Sequence, residues 1–162
     1  MTETIFAALR ESHDRQRSLC RQLLASKAHT DHRTQTFSAL RIELAAHAAA
    51  EERHLYVPIL MEDMGLSSAR HALHEHHQMD ELIEDLQVLD HSGRSWMATA
   101  RKLSEKVHHH LREEEKKFFQ VSGKILDEVQ KARLAKRYRK EYARMVKSLA
   151  SGQAQISRLK RA

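Results

Sequence analysis

Proline occurs once in the 162 residues, cysteine once and glycine four times. One cysteine excludes an internal disulfide and any CxxC redox or zinc motif, and Cys20, at helical spacing from Leu23 and Leu24, reads as core packing. With so few helix breakers and few β-branched residues, sheet architectures are excluded in favour of helices. No apolar run approaches the roughly 18 residues of a membrane span, and the N-terminus MTETIFAALRESHD lacks a signal-peptide core. A cytoplasmic protein without a membrane partner is expected. Also missing are a phosphate-cradling glycine loop, a dinucleotide fingerprint and a serine or cysteine nucleophile motif. Whether the protein is an enzyme is left open, and any reaction would have to be a metal's.

What is present is charged, helix-forming and rich in histidine, with 13 of them. Turn-forming residues gather at 27–32, 61–68 and 90–95, which leaves four long helical stretches and a fifth beginning soon after Gly123. Connections this short join antiparallel neighbours, so the expected fold is all-α, an up-down-up-down four-helix bundle plus a basic C-terminal helix. The expected organisation is a bundle over 1–122, a C-terminal helix over 123–150 packing on it, and a basic flexible tail over 151–162.

The two halves repeat. HAAAEERHLY (47–56) and HLREEEKKFF (110–119) share the pattern His-x-x-x-Glu-Glu followed by aromatic residues, at an offset of 63. The same offset carries His13 onto His76, Leu19 onto Leu82, Leu23 onto Leu86, Leu40 onto Leu103 and Leu44 onto Val107. This is the signature of a duplicated helical hairpin. Residues equidistant from a tight turn lie at one height, since each helical residue rises about 1.5 Å. The midpoints of 13 and 47, of 47 and 76, and of 76 and 110 all fall in turn-like sequence, so the four histidines should form one layer.

Glu51 and Glu114 stand one turn beyond His47 and His110 on the same faces. A buried layer of four imidazoles and two carboxylates is costly unless its members are paired or coordinated. Two metal ions would satisfy His13, His47, Glu51, His76, His110 and Glu114, and such side chains on facing helices are how di-iron and di-manganese bundles are built. Imidazole and carboxylate without thiolate suit iron or manganese, with zinc possible. On the third helix His74 and His77 compete with His76; the apolar stripe Met79, Ile83, Leu86 and the repeat both favour His76. Tyr56, Phe118 and Phe119 read as aromatic walls beside the layer, and Glu52 and Glu115 as residues orienting it or pairing with outside cations. His54, His71, His108 and His109 are assigned to solvent or supporting positions.

ESHD on helix one, HAAAEE on helix two, EHH on helix three and HLREEE on helix four together resemble the hemerythrin-like family of HHE cation-binding domains, over about residues 3–120. The resemblance implies a non-haem di-iron centre with two iron ions, held by the same six residues. The oxygen-carrying members have a further histidine where this chain has Ala72. The chain therefore resembles the symmetrical members, associated with iron sensing or with nitric-oxide and oxidative stress. Pro58 falls one residue later than the family's usual proline, and Gln120 replaces it on helix four. The implied function is a di-iron protein that binds or reacts with O2, NO or peroxide in stress response or sensing.

Iron storage, delivery or sensing is the alternative. A third reading starts from residues 127–162, which hold eleven Lys or Arg against three acids, so the preceding part carries a net −2 of the overall +6. Tyr138, Tyr142, Met145 and Leu149 form a stripe in this segment, suiting a helix packed on the bundle with its basic face outward and open to nucleic acid or an acidic partner. The sequence does not fix the oligomeric state.

Overall fold

In the computed structural model, residues 1–159 and 161 are described, the side chains of 156 and 157 excepted. The chain is helical from Ile5 onward, and no strand occurs among the described residues. Helix α1 spans Ile5–Ala25 and α2 Asp31–Glu51. A wide π turn, Glu52–Tyr56, carries α2 into the short α3, Val57–Leu60. Helix α4 is Asp63–Val88 and α5 Arg94–Glu113. A second π turn, Glu114–Phe118, joins α5 to α6, Phe119–Ile125, and α7 runs Glu128–Leu159.

The turns fall where the sequence placed them, and local chemistry explains why. The Thr4 and Thr30 side chains accept from the backbone N–H of Ala7 and Arg33, capping α1 and α2 with otherwise orphaned donors satisfied. Gly65 sits where α4 crosses α3 so closely that a Cβ would lie 2.6 Å from the Ile59 carbonyl oxygen. At the far end, buried Arg33 donates to the Ser26 and His91 carbonyl oxygens at 2.5 and 2.8 Å, tying the α1–α2 turn to the α4–α5 turn.

Helices α1, α2, α4 and α5 form the antiparallel bundle, and α7 packs across α1 and α2. Leu134, Ala135 and Tyr138 are the buried anchors of α7. Its basic face is partly neutralised: Arg139 pairs with Glu3 and Glu11, and Arg144 with Glu141. Two differences from the sequence reading appear here. The fourth helical stretch continues through Gly123 to Ile125, and α7 stays helical to Leu159, past residue 150; Lys160 and Ala162 of the expected tail lie outside the described residues.

The apolar core is split in two. One cluster gathers Ile5, Leu9, Leu55, Ile59 and Phe119, and the other Cys20, Leu40, Leu86, Trp96 and Leu103. Cys20 is core, its thiol pushed up to about 11 by burial. Between the two clusters lies a layer of buried polar side chains.

Candidate metal centre

All six residues singled out by the repeat enter that layer: His13, His47, Glu51, His76, His110 and Glu114 are each buried. On α4, His74 and His77 are exposed, so only His76 of the three reaches the interior. The imidazoles meet in pairs, with ring centroids of His13 and His47 5.0 Å apart and those of His76 and His110 4.7 Å apart. The carboxylates lie between the pairs. Glu51 Oε2 is 3.0 Å from His47 Nε2 and 3.6 Å from His76 Nε2. Glu114 Oε2 is 3.4 Å from His13 Nε2 and 3.6 Å from His110 Nε2. The four rings are thus cross-linked through two carboxylates, with His76 and His110 facing each other at 3.1 Å between their Nε2 atoms.

Each imidazole is gripped from outside by its other nitrogen. Nδ1 of His13 lies 2.9 Å from Glu115, that of His76 2.7 Å from Glu52, and that of His110 2.7 Å from Glu75. A carboxylate only accepts, so Nδ1 carries the hydrogen and Nε2 turns its lone pair inward. The fourth, His47 Nδ1, lies 2.9 Å from the hydroxyl of Tyr138 on α7. Glu115 is itself held by Arg17 at 3.0 Å. Thus the second glutamate of each His-x-x-x-Glu-Glu motif braces a histidine on another helix.

Tyr56 is more than a wall. Its hydroxyl donates to Glu114 Oε1 at 2.5 Å and lies 3.3 Å from His76 Nε2. Burial, with Glu114 and Glu51 close by, raises its pKa well above the usual tyrosine value and keeps it a donor. The π turn explains its reach: widening the helix brings the residue five beyond Glu51 back over the layer.

The electrostatics are those of a site with unfilled valences. Burial holds His13 neutral, its pKa lowered to about 4. Burial also opposes ionisation of Glu51, but the imidazoles of His47 and His76 outweigh it and keep that carboxyl well below its usual range. Glu114 is pushed the other way, by burial and by the neighbouring Glu51 charge. Among the described residues, buried side-chain atoms without a hydrogen-bond partner include His13 Nε2, His47 Nε2, both Glu51 oxygens and Glu114 Oε2. Folded proteins leave very few such atoms unmatched, and here five face one another. Donors about 2.0–2.2 Å from a shared ion stand roughly 3.0–3.6 Å apart, which is the spacing observed. Two overlapping donor groups result, one of His13, His47, Glu51 and Glu114 and one of Glu51, His76 and His110. The residues present fit a pair of cations.

Access is wider on one side. A cleft of about 420 Å³ between α4 and α5 reaches His110 and Glu114 past Ala72, Glu75 and Phe118. A second opening at the layer, beside His47 and His76, holds only about 10 Å³. Sequence reasoning did not single out Glu75 or assign Tyr138 to the site. Neither has a counterpart in the repeat: the residue matching Glu75 is Ser12, and Tyr138 lies outside the duplication.

A family model described as the hemerythrin HHE cation-binding domain matches residues 4–121. No curated protein matches the sequence. Among solved structures, the crystal structure of a hemerythrin HHE cation-binding domain-containing protein from Mycobacterium kansasii is similar, with a TM-score of 0.78 and 21% identity. That likeness covers 95% of this chain and 92% of the other, so it takes in much of α7 as well as the bundle. No helix among the described residues is long and apolar enough to cross a membrane. With the matched region taking in all four bundle helices and every residue of the buried layer, the chain belongs to the hemerythrin HHE cation-binding domain family.

Proposed function

We propose that the buried layer is a non-haem di-iron centre, held by His13, His47, Glu51, His76, His110 and Glu114, that binds or reacts with dioxygen, nitric oxide or peroxide in stress response or sensing. The observation that carries this reading is the set of five unpartnered buried donor atoms, each histidine having its Nδ1 braced so that Nε2 points inward. Imidazole and carboxylate donors without thiolate suit iron or manganese. When bound, such a pair of ions supplies coordination positions and electrons for small-molecule chemistry.

The residues of this chain then divide the remaining work. Glu51 and Glu114, each within reach of an imidazole from both pairs, would hold the ions together with those histidines. Tyr56 supplies a hydroxyl donor at the layer, next to Glu114. Phe118 and the α4–α5 helices restrict entry to a cleft suited to small molecules. Ala72 lines that cleft instead of a further ligand, which leaves space beside His110.

Elemental analysis of untagged protein purified without chelator tests the centre. About two irons per chain are expected, followed by a spectral change when the reduced protein meets oxygen, nitric oxide or peroxide. A chain that stays below one metal after iron reconstitution would overturn the centre; two irons with no response to any of the three would overturn the reactivity.

A further inference from the structure

The cleft between α4 and α5 holds a second constellation of ligand-type side chains, outside the buried layer. His71 Nε2 lies 3.6 Å from Glu75 Oε1 and 3.2 Å from Glu113 Oε2. His109 Nε2 lies 3.5 and 3.6 Å from the same two oxygens. We propose that His71, Glu75 and Glu113, with His109 beside them, form a third, outer binding site for a divalent transition-metal cation.

Three observations support the site. Around an ion bound at about 2.1 Å in tetrahedral geometry, adjacent donors stand about 3.4 Å apart, and His71 Nε2 stands within 0.2 Å of that value from both Glu75 Oε1 and Glu113 Oε2. Ligand atoms of His71, Glu75 and Glu113 fall within 4.8 Å of one another. Second, Glu75 is a buried carboxylate divided between two tasks: Oε2 braces His110 Nδ1 at 2.7 Å while Oε1 is turned to the outer cluster. An imidazole ligand beside it favours a transition metal such as zinc or iron(II) over calcium or magnesium.

Third, the bundle does not need His71, His109 or Glu113. At the repeat offset, His71, Glu75, His109 and Glu113 correspond to Ala8, Ser12, Ala46 and Ala50. Those four are buried, and α7 packs over that face, Tyr138 taking the bracing part that Glu75 plays in the other half. The α4–α5 face has no such cover; it presents an open cleft, with the His71 and His109 side chains 61% and 52% exposed. Exposed histidine–carboxylate pairs contribute little to stability, so this constellation in place of three alanines and a serine points to a ligand. An ion here would use the Glu75 oxygen that His110 leaves free, so the outer site does not rest on the reading of the inner layer as a di-iron centre.

Zinc(II) is the probe. Iron-loaded full-length protein is equilibrated with increasing zinc, and both metals are counted per chain after dialysis, in parallel with His71→Ala/His109→Ala and Glu113→Gln variants. The wild type should take up one zinc at unchanged iron content, and the variants should bind it at least tenfold more weakly while melting with the wild type. Wild type that gains no zinc, or variants that gain it equally, overturn the site. If iron does not load, the same titration on metal-free protein still reads the outer site as a one-zinc difference between wild type and double variant. Failure of the inner centre and failure of the outer site therefore give different counts.

Discussion

Replacing Tyr138 by phenylalanine removes one oxygen from the molecule and tests whether α7 belongs to the centre. The ring stays, with its packing against Leu134 and the α1–α2 face. What is lost is the acceptor 2.9 Å from His47 Nδ1. A buried N–H left without a partner costs about 1–3 kcal/mol, and in a chain of this size that lowers the melting temperature by about 2–4 °C per kcal/mol. Loss of such a bracing partner also weakens metal binding by about 10–100-fold, equivalent to about 1.4–2.7 kcal/mol. The assay is competition of the loaded protein against a chelator of known affinity, with melting of the metal-free form in parallel. We expect one of the two ions to be released at lower chelator concentration, the other being held as before by His76 and His110. Metal retention identical to wild type for both ions, together with an unchanged metal-free melting curve, would refute the assignment of Tyr138 to the site.

His76→Ala should abolish binding of at least one metal per chain, whereas His74→Ala and His77→Ala should leave metal content at the wild-type value; elemental analysis of the three decides. Metal-free protein should lose stability as pH falls from about 6.5 to 4, because His13 is held at about 4 in the fold against about 6.5 unfolded, so the unfolded chain binds the extra proton across that window. This group accounts for about 3 kcal/mol. Glu114, raised in the fold, works in the opposite sense, so the reading to take is the difference in pH slope between wild type and His13→Gln, which should be shallower in the variant. Gly65→Ala should lower the melting temperature of metal-free and loaded protein alike, since the Ile59 carbonyl stands 2.6 Å from the new methyl group; overpacking of this sort costs about 1–3 kcal/mol.

The bundle and the six inward residues were legible because both rest on periodicity. The offset of 63 fixed the histidine heights, and the 3.6-residue stripe chose His76 over His77. Three features were not legible for physical reasons. Tyr56 reads as an aromatic wall in the sequence, but its hydroxyl contact with Glu114 was not legible: it lies five residues beyond Glu51, and only the wide turn, which leaves no compositional mark, aims it at the layer. Tyr138 comes from a helix outside the repeat, so no internal comparison could pair it with His47. Glu75 adjoins His76 in sequence yet braces His110 on the next helix, a partnership set by packing across the α4–α5 interface. Glu52 and Glu115 were expected to orient histidines or pair with outside cations, and Glu115 does both, through His13 and Arg17.

The two π turns mark the places where the chain carries one residue more than a regular helix needs. Each residue of an α-helix turns the chain by about 100° and advances it about 1.5 Å, so a residue lost from the regular part of α2 or α5 would swing everything beyond it by about that angle. Loss of Arg53 or His54 would instead let Glu52–Tyr56 relax into ordinary α-helix, with the tyrosine four residues beyond Glu51 and still on its face. Ile59 would keep the surface fitted to Gly65. The same holds for Lys116 or Lys117 within Glu114–Phe118, where Phe118 and Phe119 follow the turn. Chain length is thus set most strictly where the helices are most regular, and the wide turns are the two points with a residue to spare.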